Sequence, residues 1–193
     1  MKANIILGLL VIGLMANGSS CLNDPFIVPL NATLQYCDAS NPGGAWGPPD
    51  DQPETVRILD KIPESYRDDV VGARLIDVVV YAVDPDTNAF VSGEAGIIYQ
   101  GQEHRVISFQ GSGKYFSERR SLLEAYDTPS NQLVPDPAGV TLLESIIQQF
   151  LLDPENTYIT VYSKGTVTPA IPSPGQTVCA EVIVQVDGQV NVE

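Results

Sequence analysis

The chemistry open to this 193-residue chain is bounded by its scarcest side chains: one histidine (His104), one tryptophan (Trp46) and three cysteines (Cys21, Cys37, Cys179). A lone histidine leaves little material for a His-rich zinc site or a Ser-His-Asp triad, and no two cysteines fall at metal-ligand spacing. In an oxidising compartment three cysteines leave one thiol over. A bridge from Cys37 to Cys179 would join the first strand region to the last. A Cys21–Cys37 bridge with Cys179 buried, and no bridge at all, stay open beside it.

Oxygen chemistry is better supplied. Asp84-x-Asp86-x-Asn88 has the spacing that begins a calcium loop. An EF-hand needs glycine next and glutamate at its twelfth position, where Ala89 and Ala95 stand instead. Asp84, Asp86 and Asn88 are therefore weak calcium candidates, set against a solvated turn; no other metal and no cofactor is expected. Asp50-Asp51 and Asp68-Asp69 could serve as acid/base couples only if the fold brought partners to them. Neither Gly-x-Ser-x-Gly nor Ser-x-x-Lys occurs. Gly111-Ser112-Gly113-Lys114 has a phosphate loop's composition without its spacing or a following helix signal. Lys114, Arg119 and Arg120 form the one positive cluster. It could receive an anion, but pairing with Glu118 and Glu124 is the expectation. Trp46, between Gly-rich and Pro-rich flanks, is either a plug packed on the domain or a weak partner-binding candidate, with the plug favoured.

The balance of 10 Lys and Arg against 24 Asp and Glu, a net charge of -14, excludes nucleic acid as a partner. It also opposes unaided adsorption to anionic lipid. Apolar content of 44% and charged content of 18% describe a globular chain.

The elements that must position these residues are mostly strands. Residues 24–36 alternate, with Phe26, Val28, Leu30, Ala32, Leu34 and Tyr36 on one face, and Pro29 marks an edge strand. Residues 41–53 form a Gly/Pro-rich loop, and Pro63 opens a short polar helix. Arg74 to Val83 is apolar on both faces apart from Asp77, as a central strand is, and Asp84–Asn88 turns the chain. Ala95–Gln100 and His104–Gln110 predict a hairpin around Gly101-Gln102, with Ile107 and Phe109 inward. Tyr115–Tyr126 stays open between strand and helix. Asp136 caps an amphipathic helix carrying Val140, Leu143, Ile146, Ile147, Phe150 and Leu151, stopped at Asp153-Pro154. Thr157–Val167 and the run Val178, Ala180, Val182, Val184, Val186 predict the last two strands, with Cys179 on the opposite face. Six or so strands and one late helix predict a mainly β, antiparallel β-sandwich, immunoglobulin-like or WHy-like, as a single domain over 21–193.

Residues 1–20 carry Lys2, the apolar run Ile5–Met15 and small residues, the layout of a secretory signal peptide. Gly18-Ser19-Ser20-Cys21 resembles the signal of bacterial envelope lipoproteins, with Gly18 where leucine is usual. That resemblance implies lipidation of Cys21; ordinary secretion is the alternative. If Cys21 carries lipid, Cys37 and Cys179 remain as an even pair. An acidic-Pro turn, a hairpin, then a helix leading into Tyr158–Val167 with Gly165 resembles the late-embryogenesis-abundant/WHy sandwich, whose Asn-Pro-Asn turn is Asp84-Pro85-Asp86 here. The resulting expectation is a non-enzymatic, membrane-anchored protein of the bacterial envelope, facing periplasm or cell exterior and binding an envelope protein or glycan. A carboxylate-dependent hydrolase and a carrier of a hydrophobic ligand are the alternatives.

Overall fold

The computed structural model describes residues 26–47, 55–124, 127–128, 130–170 and 175–190. The signal segment, Cys21 and Asp50-Asp51 lie outside them. Two antiparallel sheets face each other. The first holds β1 (Phe26–Ala39), β11 (Thr177–Val190), β4 (Val70–Val83) and β7 (Arg120–Ser121), in that order. The second runs β2 (Ala45–Trp46), β10 (Tyr158–Thr168), β5 (Phe90–Tyr99), β6 (Gln102–Ser112), β9 (Asn131–Pro135) and β8 (Asp127–Thr128), with β3 (Thr55–Arg57) also on β10. This is the β-sandwich that the alternation predicts.

The number of strands is higher than expected because β2, β3, β7, β8 and β9 are each five residues or fewer. Pieces that short cannot display a period. In β11, Val178, Ala180, Val182, Val184 and Val186 are fully or almost fully buried between the sheets. Ala32 and Leu34 of β1 join them, while its odd-numbered residues 27–39 face outward. Cys37 lies directly opposite Cys179 in the β1–β11 register with their Cα atoms 4.1 Å apart, and the two form a disulfide. That short spacing marks the non-hydrogen-bonded pairs of an antiparallel ladder. Odd residues of β1 therefore aim their backbone groups at its free edge. Pro29 is odd, so its missing N–H costs β11 nothing and removes a donor from an edge that another strand could extend.

Helix α2 (Pro137–Leu152) is the amphipathic segment. Asp136 caps it, its carboxylate accepting from the Ala138 and Gly139 amides at 3.1 and 3.3 Å. The β5–β6 register shifts between Ala95 and Gly96, leaving Val106 as a bulge whose carbonyl accepts from the Asp136 amide at 2.8 Å. Gly139 sits so close to Arg105 that a Cβ there would collide with its carbonyl. The helix is thereby seated across the open side of the sandwich, against β4 and β6. Its Leu143, Ile146, Ile147 and Phe150 merge with the core of both sheets. The opposite side is closed by a short 3-10 helix, Ile58–Lys61, whose Ile58 and Leu59 are buried. The polar helix opened by Pro63 is a second 3-10 turn, Glu64–Asp69, with Asp68 and Asp69 exposed.

Candidate functional site

The sandwich has two ends. At one, β4 turns into β5 through residues 84–89. At the other, Phe26 pairs with Val190, Val70 with Gly188 and Tyr158 with Arg57. The first end holds the calcium candidates. Asp84 has φ of +47°, and the Asp86 carboxylate accepts from the Asn88 amide at 2.9 Å, making an Asx turn. The Asp86 amide donates to Gln176 Oε1 at 3.0 Å. Asp84, Asp86 and Asn88 thus fold a turn, and among the described residues no three His, Cys, Asp or Glu side chains converge as a metal site.

The positive cluster is dispersed. Arg120 pairs with Glu118 at 2.8 Å, as expected, and stacks over the Tyr115 ring at 4.3 Å. Arg119 crosses instead to Glu181, which is buried on the outer face of the first sheet, and covers the Tyr81 ring at 5.1 Å. Tyr81 donates to Glu181 at 3.0 Å and receives from Gln35 at 2.6 Å. Glu181 was not singled out in the sequence because its partners lie 62 and 100 residues away. Lys114 is exposed, and Glu124's side chain lies outside the described set. Ser112 of the glycine-rich stretch caps a one-turn helix, α1 (Gly113–Phe116), accepting from the Tyr115 amide at 3.1 Å. Gly113 abuts the Asp86 carbonyl, so this is a tight corner and not a phosphate cradle.

Trp46 is packed inward, the plug of the two readings, and its ring is not offered to a partner. It is 6% exposed, stacks on Phe109 with centroids 6.3 Å apart, and donates from Nε1 to Ser163 Oγ at 3.1 Å. Gly93 and Gly165 lie beneath the indole, where any Cβ would strike it or a neighbouring carbonyl. Apolar area draws the ring in, and Ser163 satisfies its one donor.

A cleft with recognition chemistry lies at the other end. A cleft of about 470 Å³ opens among the β5–β6 turn, the start of β10 and the C-terminal half of α2. Gln100 and Gly101 both have positive φ, +53° and +76°, the geometry of a tight two-residue hairpin turn. That turn places Gln100 at the rim. Asp153 builds the adjoining wall. Its amide bonds back to the Gln149 carbonyl at 3.0 Å, its carboxylate accepts from Asn156, and its carbonyl accepts from Thr157 Oγ1 at 2.7 Å. Thr55 and Thr160 join hydroxyls at 2.8 Å. Tyr158, 45% exposed, heads β10, while Tyr99 is half-buried against the core.

Among the described residues Glu103 is the one charged side chain lining this cleft, and Lys164 holds it in a short ion pair. Lys164 also reaches Glu94 at 3.4 Å and lies over the ring of the buried Tyr162, 5.5 Å from its centroid. Tyr162 donates to Glu94 at 3.2 Å, and burial first, then the charges of Glu94 and Glu103, pushes its hydroxyl well above the usual tyrosine range. Hydrogen bonding to Glu103 raises Lys164 in turn. His104, beside Glu103 on β6, is half-buried opposite Ile97. A second cleft of about 500 Å³ at the same end contains Arg57, Glu64, Arg67, Asp68 and Glu155. Arg57 there binds Asp60 at 2.7 Å and Glu155 at 2.8 Å, and Arg67 donates from Nε to the Ile62 carbonyl at 3.0 Å.

No family model and no curated protein matches the chain. Among solved structures, a chain titled Desmodium yellow mottle tymovirus is similar at 11% identity, over 89% of this chain and 92% of that one, with a TM-score of 0.34. A superposition that loose carries no argument about this protein.

Proposed function

We propose that the chain is a non-enzymatic binding module of the bacterial cell envelope, held to a membrane by lipid on Cys21 and recognising its ligand at the cleft beside Tyr158. The observation that carries the binding role is the lining of that cleft. Tyrosines, amides and hydroxyls surround one carboxylate, and that carboxylate is occupied by Lys164. Hydrolysis by paired carboxylates needs a second free acid facing the first across the substrate. The cleft offers shape and hydrogen bonds, which suit recognition.

Export is supported by the Cys37–Cys179 disulfide, since such bridges persist in oxidising compartments. Loss of residues 1–20 removes Lys2 and no acid, making the exported chain one unit more acidic. Phe26 and the cleft share one end of the sandwich. Five residue steps separate Cys21 from Phe26, a reach of at most ~18 Å. On that tether the acidic body is repelled by an anionic surface and held near it, with the cleft at the tethered end.

Two measurements test this reading. Mass spectrometry of the mature amino terminus is expected to find an acylated Cys21, and C21S to move the protein from the membrane to the soluble fraction; an unmodified Cys21 overturns the anchor. Affinity capture from solubilised envelopes is expected to enrich a component lost when Gln149→Trp fills the cleft. A hydrolytic activity abolished by E103Q would overturn the non-enzymatic role.

A further inference from the structure

We infer that the cleft beside Tyr158 takes a neutral saccharide; the inference rests on the proposal that the cleft is a binding site, and it names the ligand class. Three other classes each meet an obstacle at a specific residue. An anion would need a free cation, and the described lining residues supply none. A cation would have to displace Lys164 from Glu103, the one lining carboxylate among the described residues. An alkyl chain would strip water from Gln100, Gln149 and Asn156 without returning hydrogen bonds, a cost apolar contact with Ile98 and Ile146 would have to offset. A sugar reverses that cost. Its hydroxyls both donate and accept, as primary amides do, so each displaced water is replaced in kind.

The aromatic side chains complete the match. A pyranose ring presents a face of C–H bonds to the electron-rich face of an aromatic ring. Tyr158 is the exposed platform, 45% accessible at the head of β10, with Thr160 two residues on along the same strand face. Its position is rigid. Tyr158 is paired with Arg57 of β3, and Arg57 is tied to Asp60 and Glu155, which leaves the strand end little backbone freedom to lose on binding. Tyr99 forms the inner wall against Ile146 and Gln149 of α2. At about 470 Å³ the cleft suits two or three sugar units. Such a saccharide could be a free or cell-wall glycan, or the headgroup of a glycolipid in the membrane facing the tethered end.

The test uses the full chain carrying C21S, which removes the proposed lipidation site. Calorimetry would titrate it with triacetylchitotriose, maltotriose, cellotriose and mannotriose, and with a fatty acid and an unselected peptide mixture as counter-probes. At least one neutral trisaccharide is expected to bind, Tyr158→Ala to weaken it about tenfold, and Tyr158→Phe to retain most affinity. Trp46 fluorescence checks that each variant is folded. Flotation with zwitterionic vesicles, with and without a neutral glycolipid, separates the sources: capture only by glycolipid vesicles assigns a headgroup, and equal affinity for soluble sugar assigns a free glycan. Binding of fatty acid or peptide at this cleft, without sugar, overturns the saccharide inference and leaves the binding role standing. Binding of no probe, together with no cleft-dependent capture from envelopes, overturns both.

Discussion

Trp46 shows how one side chain can serve as fold and not as contact. Its indole needs a flat bed, and Gly93 and Gly165 supply it on adjacent strands by having no Cβ. Removing the ring should leave both a void and an unsatisfied, fully buried Ser163 hydroxyl. Trp46→Ala is expected to lower stability by ~3–5 kcal/mol in urea denaturation, and Trp46→Phe by less, since it keeps the ring and loses the hydrogen bond. As the chain's single tryptophan, it should also emit at short wavelength and resist acrylamide quenching until the sandwich unfolds. A red-shifted, readily quenched native emission would contradict the buried position. Tyr158 makes the opposite case. It is an aromatic of similar chemistry at a strand end, left exposed, and only its surroundings distinguish the two roles.

At the scale of elements, α2 is where local and distant forces meet. Asp136, Pro137 and the spacing of Leu143, Ile146, Ile147 and Phe150 are readable along the chain, because capping and period are local properties. Where the helix docks is not readable. That depends on the Val106 bulge and on Gly139 meeting Arg105, residues more than thirty positions away. The docking predicts a sharp contrast within one helix. Ile147→Ala should cost ~2–5 kcal/mol, because its side chain is fully buried. Leu152→Ala should change the unfolding midpoint little, since Leu152 is 87% exposed. Comparable losses for both would mean that the helix sits differently. The short strands tell the same story: Ala45–Trp46 inside a Gly/Pro-rich loop becomes β2 only because Gly165 and Thr166 lie alongside.

For the whole molecule, the Cys37–Cys179 bridge matters most. It ties the first described strand to the last, 142 residues apart, across two strands that are already neighbours. In the chain-entropy account a loop that long contributes about 5 kcal/mol by restricting the unfolded chain. Reductant, or the double variant C37A/C179A, is expected to lower the urea midpoint by a corresponding amount without altering the native circular dichroism. An unchanged midpoint would show that the two thiols are free in solution. Cys37 is exposed on the outer face while Cys179 is buried, so reductant has a route to the bridge.

The sequence by itself determined what short-range periodicity can encode. The inward valines of β11, the edge character that Pro29 confers on β1, the hairpin joining β5 to β6 and the stripe of α2 all follow from spacing within a few residues. Tertiary structure alone decided which cysteine Cys37 meets, which residues Trp46 packs on, that Arg119 finds Glu181 and not a near neighbour, and that the Asp86 amide meets Gln176. It also assembled the Tyr158 cleft from β3, the β5–β6 turn, α2 and β10. The physical reason is common to all of these. Each depends on the register between segments tens of residues apart, set by burial of both sheets at once, and no local pattern carries that information.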